Sequence, residues 1–171
     1  DDQRYTFPWW FDQMYEANPD VAQYIDGLAV HWYGDRYQNP SPFDETVLKF
    51  PGKFILASEA CSGDRPWDVH KPLLGFWGRA EDYVIDIIED LNHHVSGWVD
   101  WNLILDENGG PNYAKNFVDA PITFNENATE IYKQPTFYVM GHFSRFIVPD
   151  SIRVKAKSSH LFIKTNARTL P

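Results

Sequence analysis

A short apolar run that ends in a carboxylate most constrains the fold of this chain. Residues 54–57 read Phe-Ile-Leu-Ala, which suits a buried β-strand, and Glu59 follows two positions later. A core strand rarely carries a carboxylate unless something binds it. A buried strand that delivers a glutamate at its carboxyl end is typical of a (β/α)8 barrel, where the chemistry lies at that face. On this segment alone, a structural role at a strand end or a helix cap stays open.

Two further apolar runs end in a similar way. Residues 27–33 end in His-Trp-Tyr, and residues 96–102 end in Asp-Trp-Asn. A loop rich in Gly, Pro, Asp or Asn follows each run, and a helical stretch separates the run at 54–57 from the one at 96–102. Three strands that each end in side chains able to bind sugars or move protons are hard to explain by packing alone. The sequence therefore predicts an α/β fold with a site at the strand ends.

The clearest helical pattern covers residues 79–94. Its apolar residues recur at the i, i+3, i+4, i+7 spacing and are expected to face inward: Val84, Ile87, Ile88 and Leu91. Its acidic residues are expected to lie mostly outside: Glu81, Asp82, Asp86 and Glu89. Shorter helices are predicted near 8–16 and 138–146, and residues 106–127 have the Gly, Pro and Asn content of strands and turns.

Eight motifs together resemble a known family. They are DDQR (1–4), AVHWY (29–33), ASEAC (57–61), GWVDWNL (97–103), GGPN (109–112), NFVD (116–119), YKQP (132–135) and GHFSRF (141–146). In this order and spacing they resemble the lysosomal acid β-glucosidases, the glucosylceramidases of glycoside hydrolase family 30. The likeness extends from residue 1 to about Arg153 and fades after Val154.

The resemblance implies that the chain is the C-terminal half of a (β/α)8 TIM barrel with part of an appended β-rich domain. Residues 1–103 would span the end of the fifth strand to the eighth, 104–133 a β-rich insertion, 134–150 the last barrel helix and 151–171 a truncated β-domain with a divergent tail. A complete barrel needs roughly 250 residues, so its first half would precede residue 1. The divergent tail suggests that the C-terminal β-domain is also truncated, by a splice variant, a gene-model error or a cloning boundary.

The resemblance makes Glu59 the nucleophile of a retaining glycosidase. Such enzymes hold two carboxyl groups about 5–5.5 Å apart, one as nucleophile and one as acid/base. Glu59 must be ionised at acidic pH for this role and needs hydrogen-bond donors, of which Tyr33 is the nearest plausible one. Alternation along a strand favours His31 and Tyr33 facing the site and leaves the direction of Trp32 open.

Other residues would bind the sugar. The resemblance implies that Trp101 packs on the glucose ring and that Asn116 lies near the site mouth, whereas Trp98 is assigned to packing. Cys61 would lie on the same face as Glu59 if the strand continues, where we interpret it as a small buried thiol.

The acid/base is missing from the sequence. In this family it is a glutamate in an Asn-Glu-Pro motif, and the one Asn-Glu pair here, at 125–126, lies in a turn-rich region. Asp100 is a poor substitute because alternation turns it away from its tryptophan neighbours. General acid catalysis contributes about 10²–10⁴-fold, so we expect the chain alone to be nearly inactive.

Composition limits the classes of molecule that this chain is expected to bind. A net charge of −9 argues against nucleic-acid binding, and 16% aromatic residues suit sugar rings and lipid chains. The resemblance implies glucosylceramide in a membrane surface as substrate, a saposin-type activator and a lysosomal location, with no cofactor. Phe43, Trp67 and Tyr113 are candidate lipid contacts.

Smaller signals add little. One cysteine allows no internal disulfide, Asn127 begins a glycosylation sequon, and neither a transmembrane run nor a signal peptide occurs in these residues. The His93-His94 pair invites a metal interpretation, but adjacent helical positions point about 100° apart and no third ligand is evident, so none is predicted.

Two alternatives remain at this point. One is a family-30 glycosidase with another β-linked substrate, such as xylan. The other is a non-catalytic product, either a truncated isoform or a glycan-binding remnant, which the missing acid/base and the divergent tail favour.

Overall fold

A computed structural model describes residues 2–160 and 163–170. Asp1, which opens the first family motif, and residues 161, 162 and 171 of the predicted tail lie outside this range. The chain forms two compact units. The first consists of Asp1–Ala60, Asp86–Val99 and Arg153–Ala167, and the second of Cys61–Ile85, Asp100–Ile152 and Arg168–Pro171. The domain boundaries expected from the sequence stay predictions.

The helices and strands alternate in the first hundred residues. In chain order they are α1 (Trp9–Ala17), β1 (Gly27–His31), α2 (Ser41–Lys49), β2 (Phe54–Glu59), α3 (Trp77–Asn92) and β3 (Val95–Trp98). A short 3-10 segment at Arg4–Thr6 precedes α1, and two longer 3-10 turns, Pro19–Tyr24 and Trp32–Tyr37, flank β1. The fold is thus mixed α/β, as the sequence predicts.

The first unit is built on a three-stranded parallel sheet in the order β1-β2-β3. Gln3 forms a parallel bridge with His31, which adds a short segment beside β1. Alternate strand residues pack against α1 and α2 in one core because successive side chains point to opposite faces of a sheet. Its buried members are Phe7, Phe11, Leu28, Val30, Phe43, Phe50, Ile55, Ala57 and Val95.

Both strand pairings contain an extra residue. Val30 lies opposite Ala57, but the next residue, His31, lies opposite Glu59, so Ser58 has no partner on β1. On β3, three steps from Val95 to Trp98 match two steps on β2. Gly97 lies within this bulge, where a Cβ would approach Leu56 to 3.1 Å, so the bulge brings the strands close.

The second unit contains a mixed sheet. Its strands are β4 (Ile104–Asp106), β5 (Ile122–Phe124) and β6 (Ile131–Lys133), with β4 and β5 parallel and β5 and β6 antiparallel. Helix α4 (Pro135–Phe146) follows directly. β7 (Ile152–Val154) pairs with β8 (Ala167–Thr169) at the end of the chain. Of the helices in the described range, none combines the length and the apolar character needed to cross a membrane.

Three sequence expectations are wrong in detail. Asp86 is buried rather than outside, because the buried stripe of α3 runs through Tyr83, Asp86, Ile87, Asp90 and Leu91 while Val84 and Ile88 are half-buried. Phe43 lies fully in the core on α2, so it is no lipid contact. The third strand ends at Trp98, before the residues expected to finish it.

Candidate active site

The bulge in β2 sets the direction of Glu59. In a regular ladder Ser58 would face His31, and Glu59 would share the face of Val30 and Ala57, which packs on the helices. The extra residue places Glu59 opposite His31 instead, on the other face of the sheet. Bulges beside active sites redirect side chains in this way. The Glu59 side chain keeps 21% of its accessible surface, enough to meet a small substrate.

Two side chains contact the Glu59 carboxylate. The Tyr33 hydroxyl donates to Oε1 at 2.8 Å, and Nε2 of His31 lies 3.6 Å from Oε2. The rings of His31 and Tyr33 meet edge to face at 6.1 Å between centroids. The contact expected between Tyr33 and Glu59 is therefore present, while the catalytic role of Glu59 stays a prediction.

The segment before the first helix supports His31 from its far side. Nδ1 of His31 lies 3.1 Å from the Asp2 carboxylate, and the His31 amide donates to the Asp2 carbonyl at 2.6 Å. Gln3 accepts from the Gly34 amide at 2.9 Å and donates to Asp2 at 2.7 Å. Asp2, His31 and Glu59 thus form a chain of polar contacts at the carboxyl ends of neighbouring parallel strands.

Trp32 and Trp98 face the interior. Trp32 is buried and meets Trp98 edge to face at 6.5 Å between centroids. The indole N–H of Trp98 donates to Asp86 at 2.8 Å. The sequence left the direction of Trp32 open, and the structure shows its indole buried against Trp98.

The second unit carries the other expected sugar-binding residues. Trp101 is 58% exposed, and Asn116 lies on an exposed loop held by hydrogen bonds with Asn112. Asp100, beside Trp101, is half-buried and accepts from the Tyr83 hydroxyl at 2.6 Å. Partial burial raises the pKa of Asp100 to about 7, although the Tyr83 hydrogen bond acts in the opposite direction. The hydrogen bond with Tyr83 therefore holds Asp100 at the start of the loop that presents Trp101.

The structure also gives the positions of the other residues that the sequence analysis singled out. Cys61 is buried, but β2 ends at Glu59, so the strand does not continue to Cys61 and their expected common face does not apply. Asn127 lies exposed in the turn between β5 and β6. Trp67 and Tyr113 are exposed. His93 and His94 both approach the Asp44 carboxylate, at 2.8 and 3.5 Å.

Sequence reasoning missed a buried charged cluster in the first unit. Arg4 has no exposed surface, and its guanidinium contacts the carboxylates of Asp35 and Asp90 at 2.8 and 3.0 Å. The spacing of Asp86 and Asp90 within the apolar stripe of α3 was the available signal. A tight acidic pair on the inner face of a helix requires a buried cation or protons.

Most of this chain matches the model of a known protein family. Residues 1–147 match the model of the glycosyl hydrolase family 30 TIM-barrel domain. The chain belongs to glycosyl hydrolase family 30. The match spans the strand that carries Glu59, the 3-10 turn that carries Tyr33 and the loop that carries Trp101.

Relatives of this family-30 chain are named glucosylceramidases. It is 52% identical over 157 residues to a putative glucosylceramidase 3 of Caenorhabditis elegans, which covers 92% of this chain and 30% of the relative. It is 44% identical over 161 residues to the lysosomal acid glucosylceramidase of Mus musculus, covering 93% of this chain and 31% of the relative. The chain therefore spans less than a third of the length of these two relatives.

A solved structure supports the family-30 fold. The crystal structure of SrfJ from Salmonella typhimurium superimposes with a TM-score of 0.73 at 28% sequence identity. The match covers 88% of this chain and 32% of that chain.

Proposed function

We propose that this chain carries the nucleophile of a retaining β-glucosidase that hydrolyses glucosylceramide to glucose and ceramide, and that it forms the second half of the family's barrel. The observation that carries the proposal is the setting of Glu59, which the bulge turns toward Tyr33 and His31 at the carboxyl ends of β1 and β2. The names of the relatives support the substrate.

We propose a role for each contact. One Glu59 oxygen attacks the anomeric carbon while a second carboxyl group protonates the departing glycosidic oxygen, and water then releases the sugar from the ester. Tyr33 holds Oε1 through its hydrogen bond, so the carboxylate cannot rotate freely before attack. His31 lies beside Oε2, and Asp2 fixes the orientation of its ring.

The proposal requires a second carboxyl group. The sequence contains no Asn-Glu-Pro motif, so we place the acid/base outside these 171 residues. We further propose a lysosomal location, a saposin-type activator, and lipid contacts at Trp67 and Tyr113. The exposed indole of Trp101 and the loop of Asn116 suit a role in sugar binding.

A mechanism-based label tests the nucleophile directly. The intact protein that contains this chain is treated with a cyclophellitol-type epoxide at acidic pH, and the adduct is located by peptide mass spectrometry. We expect one glucosyl-type ester on Glu59, absent from Glu59→Gln and unchanged in Glu45→Gln, which alters an exposed glutamate of α2. An adduct on a different carboxylate would contradict the assignment.

The missing motif favours one alternative, a non-catalytic glycan-binding product. The intact protein distinguishes the two: turnover of an aryl β-glucoside by the intact protein would contradict the non-catalytic alternative, whereas sugar binding without turnover would support it. Comparing glucosylceramide with xylan as substrates of the intact protein tests the substrate class. Faster hydrolysis of xylan would overturn glucosylceramide as the substrate.

A further inference from the structure

The geometry points to Arg4 as a positioning residue for the proposed reaction: it fixes the 3-10 turn Trp32–Tyr37, and hence Tyr33 against Glu59, only while neighbouring aspartates hold protons. This rests on the proposed function. It assigns no contact with substrate to Arg4, which would act through Asp35 and the backbone of the turn.

Arg4 binds the turn at three points. One nitrogen, Nη1, donates to the carbonyl of Gln38 at 2.8 Å and to that of Asp35 at 3.4 Å. The other, Nη2, donates to the Asp35 carboxylate at 2.8 Å. The planar guanidinium matches several acceptors at once, which an ammonium group does less well. The turn begins at the end of β1, so these contacts supply support that the β-ladder does not.

Tyr33 lies within the same turn. Its hydroxyl must stay within hydrogen-bond reach of Glu59, at the 2.8 Å seen here, and the turn's backbone sets its direction. Displacing a positioning group by about 1 Å can cost on the order of 10²-fold in rate. Contacts that hold the turn in place therefore also hold Tyr33 against Glu59.

The cluster around Arg4 has an excess of acids. Helix α3 brings Asp90 to 3.0 Å, Glu89 to 3.6 Å and Asp86 to 3.8 Å from the guanidinium. Glu89 also pairs with Lys164. Asp35 thus shares one cation with Asp86 and Asp90. The other neighbours are uncharged: the Phe43 ring of α2 lies 5.3 Å from the guanidinium, and the Trp98 indole of β3 donates to Asp86.

Protonation of some of these carboxyl groups removes the excess negative charge around Arg4. Within the described residues, Oδ1 of Asp35 and Oδ2 of Asp90 are buried and meet no hydrogen-bond donor, a costly setting for a bare carboxylate. Burial raises the pKa of Asp35 to about 8, with repulsion from Asp86 adding to it and Arg4 acting against it. Burial also raises the pKa of Asp90 well above its usual range and that of Asp86 less so.

A metal ion does not fit the same oxygens. Asp35, Asp86 and Asp90 lie close enough together to offer three carboxylate ligands. However, Arg4 already contacts the Asp35 and Asp90 oxygens at hydrogen-bond distance, so a cation would have to displace a buried guanidinium. The cluster holds protons instead.

The sign of the pH effect follows. Because the aspartates have a higher pKa in the folded state than in the unfolded state, their stabilisation is complete below about pH 4 and is lost as the pH rises toward about 8. Ionisation then brings uncompensated charge into the cluster, and the turn loosens. The nucleophile is thus best positioned in acid.

Hydrogen exchange of residues 32–38 tests this without relying on activity. In the intact protein, protection of these amides, corrected for the intrinsic exchange rate, is compared at pH 5 and pH 8. We expect about tenfold lower protection at pH 8. Arg4→Lys should lower protection at both pH values. Asp90→Asn, which mimics the protonated acid, should preserve it at pH 8. Arg36→Lys, an exposed arginine of the same turn, serves as the matched control.

Turnover of an aryl β-glucoside supplies the second readout. Arg4→Lys should lower kcat about 10- to 100-fold with KM little changed, and Asp90→Asn should move the alkaline limit of the kcat profile upward by about one pH unit. Unchanged protection in Arg4→Lys, or an unshifted limit in Asp90→Asn, would overturn the inference. If Arg4→Lys fails to fold by circular dichroism at pH 5, the isosteric Asp90→Asn decides alone. If no form hydrolyses the glucoside, the proposed function fails, and hydrogen exchange alone decides the role of Arg4.

Discussion

Each compact unit contains one buried arginine, and the two differ in what surrounds them. Arg4, in the first unit, faces four carboxyl groups and two carbonyls. Arg79, in the second, contacts the carboxylates of Asp68 and Asp119 together with two carbonyls, of Val69 and Lys71. One guanidinium thus meets four acids in the first unit and two in the second.

The number of hydrogen-bond donors available to the acids around each arginine influences whether the pKa values of those acids fall or rise. Asp68 and Asp119 each accept two backbone N–H groups in addition to Arg79, so the oxygens of both side chains have hydrogen-bond donors. Burial opposes the ionisation of Asp68, but the Val69 amide and Arg79 outweigh it and lower its pKa. Around Arg4 the pKa values rise instead. A buried arginine therefore does not by itself indicate ionised partners.

The largest expected effect is the loss of Arg79. Arg79→Met leaves two carboxylates without their cation, one of them, Asp119, buried, and should cost the second unit about 3–5 kcal/mol of unfolding free energy. Hydrogen exchange of β5 and β6 measures it. Arg145→Met changes an exposed arginine of α4 and should stay within about 0.5 kcal/mol. A similar cost for both variants would show that Arg79 contributes little.

The pH response should separate the units. From pH 5 to pH 8 the first unit should lose on the order of a few kcal/mol, because Asp35 and its neighbours release protons. The lowered pKa of Asp68 acts oppositely: its contribution is present above about pH 4 and is lost as the pH falls further. The measurement is amide hydrogen exchange of β1 and β2, compared with that of β5 and β6 from pH 3 to pH 8. Protection that changes with pH in the same way in both pairs of strands would contradict the difference between the two clusters.

Loss of Arg4 should cost less in acid than loss of Arg79. In Arg4→Met the remaining aspartates can take up protons, so at pH 5 the cost should be about 2 kcal/mol and should grow at pH 8. The free energy of unfolding at both pH values is the measurement. An equal cost for Arg4→Met and Arg79→Met at pH 5 would contradict proton uptake.

The smallest expected effect concerns the indole that supports Asp86. Trp98→Phe removes the N–H donated to the Asp86 carboxyl at 2.8 Å and should cost about 1 kcal/mol. Chemical denaturation at pH 5 measures it. Trp9→Phe, at an exposed position of α1, is the matched control and should be nearly neutral. A neutral Trp98→Phe would mean that a proton on Asp86 replaces the indole.

Local pattern predicts the elements well and the buried charges poorly. The apolar run at 54–57 gives β2, and the periodicity in 79–94 gives α3, since both depend on neighbouring residues. The face of α3 differs from the prediction because Asp86 and Asp90 occupy its buried stripe. Apolar periodicity cannot assign a carboxylate to the interior.

The partners of Arg4 explain why. Asp35 is 31 residues away in the chain and Asp90 is 86 residues away, so no short window contains the cluster. The bulge at Ser58 was equally invisible, because it is a property of how β2 pairs with β1. The position of Glu59 after an apolar run predicts that it lies at a strand end, and the structure confirms this, but the direction of its side chain depends on the register between β1 and β2.

The unpaired residue in β2 also affects how the chain can change in length. Deleting Ser58 leaves Ala57 opposite Val30 and Glu59 opposite His31. Deleting Leu56 instead, with Ile55 and Glu59 both kept in place, removes the bulge, so Ser58 moves opposite Val30 and Ala57 leaves the core. β2 thus tolerates loss of one residue at a single position, and a gap aligned anywhere else in the strand would shift the core residues of β2 relative to Glu59.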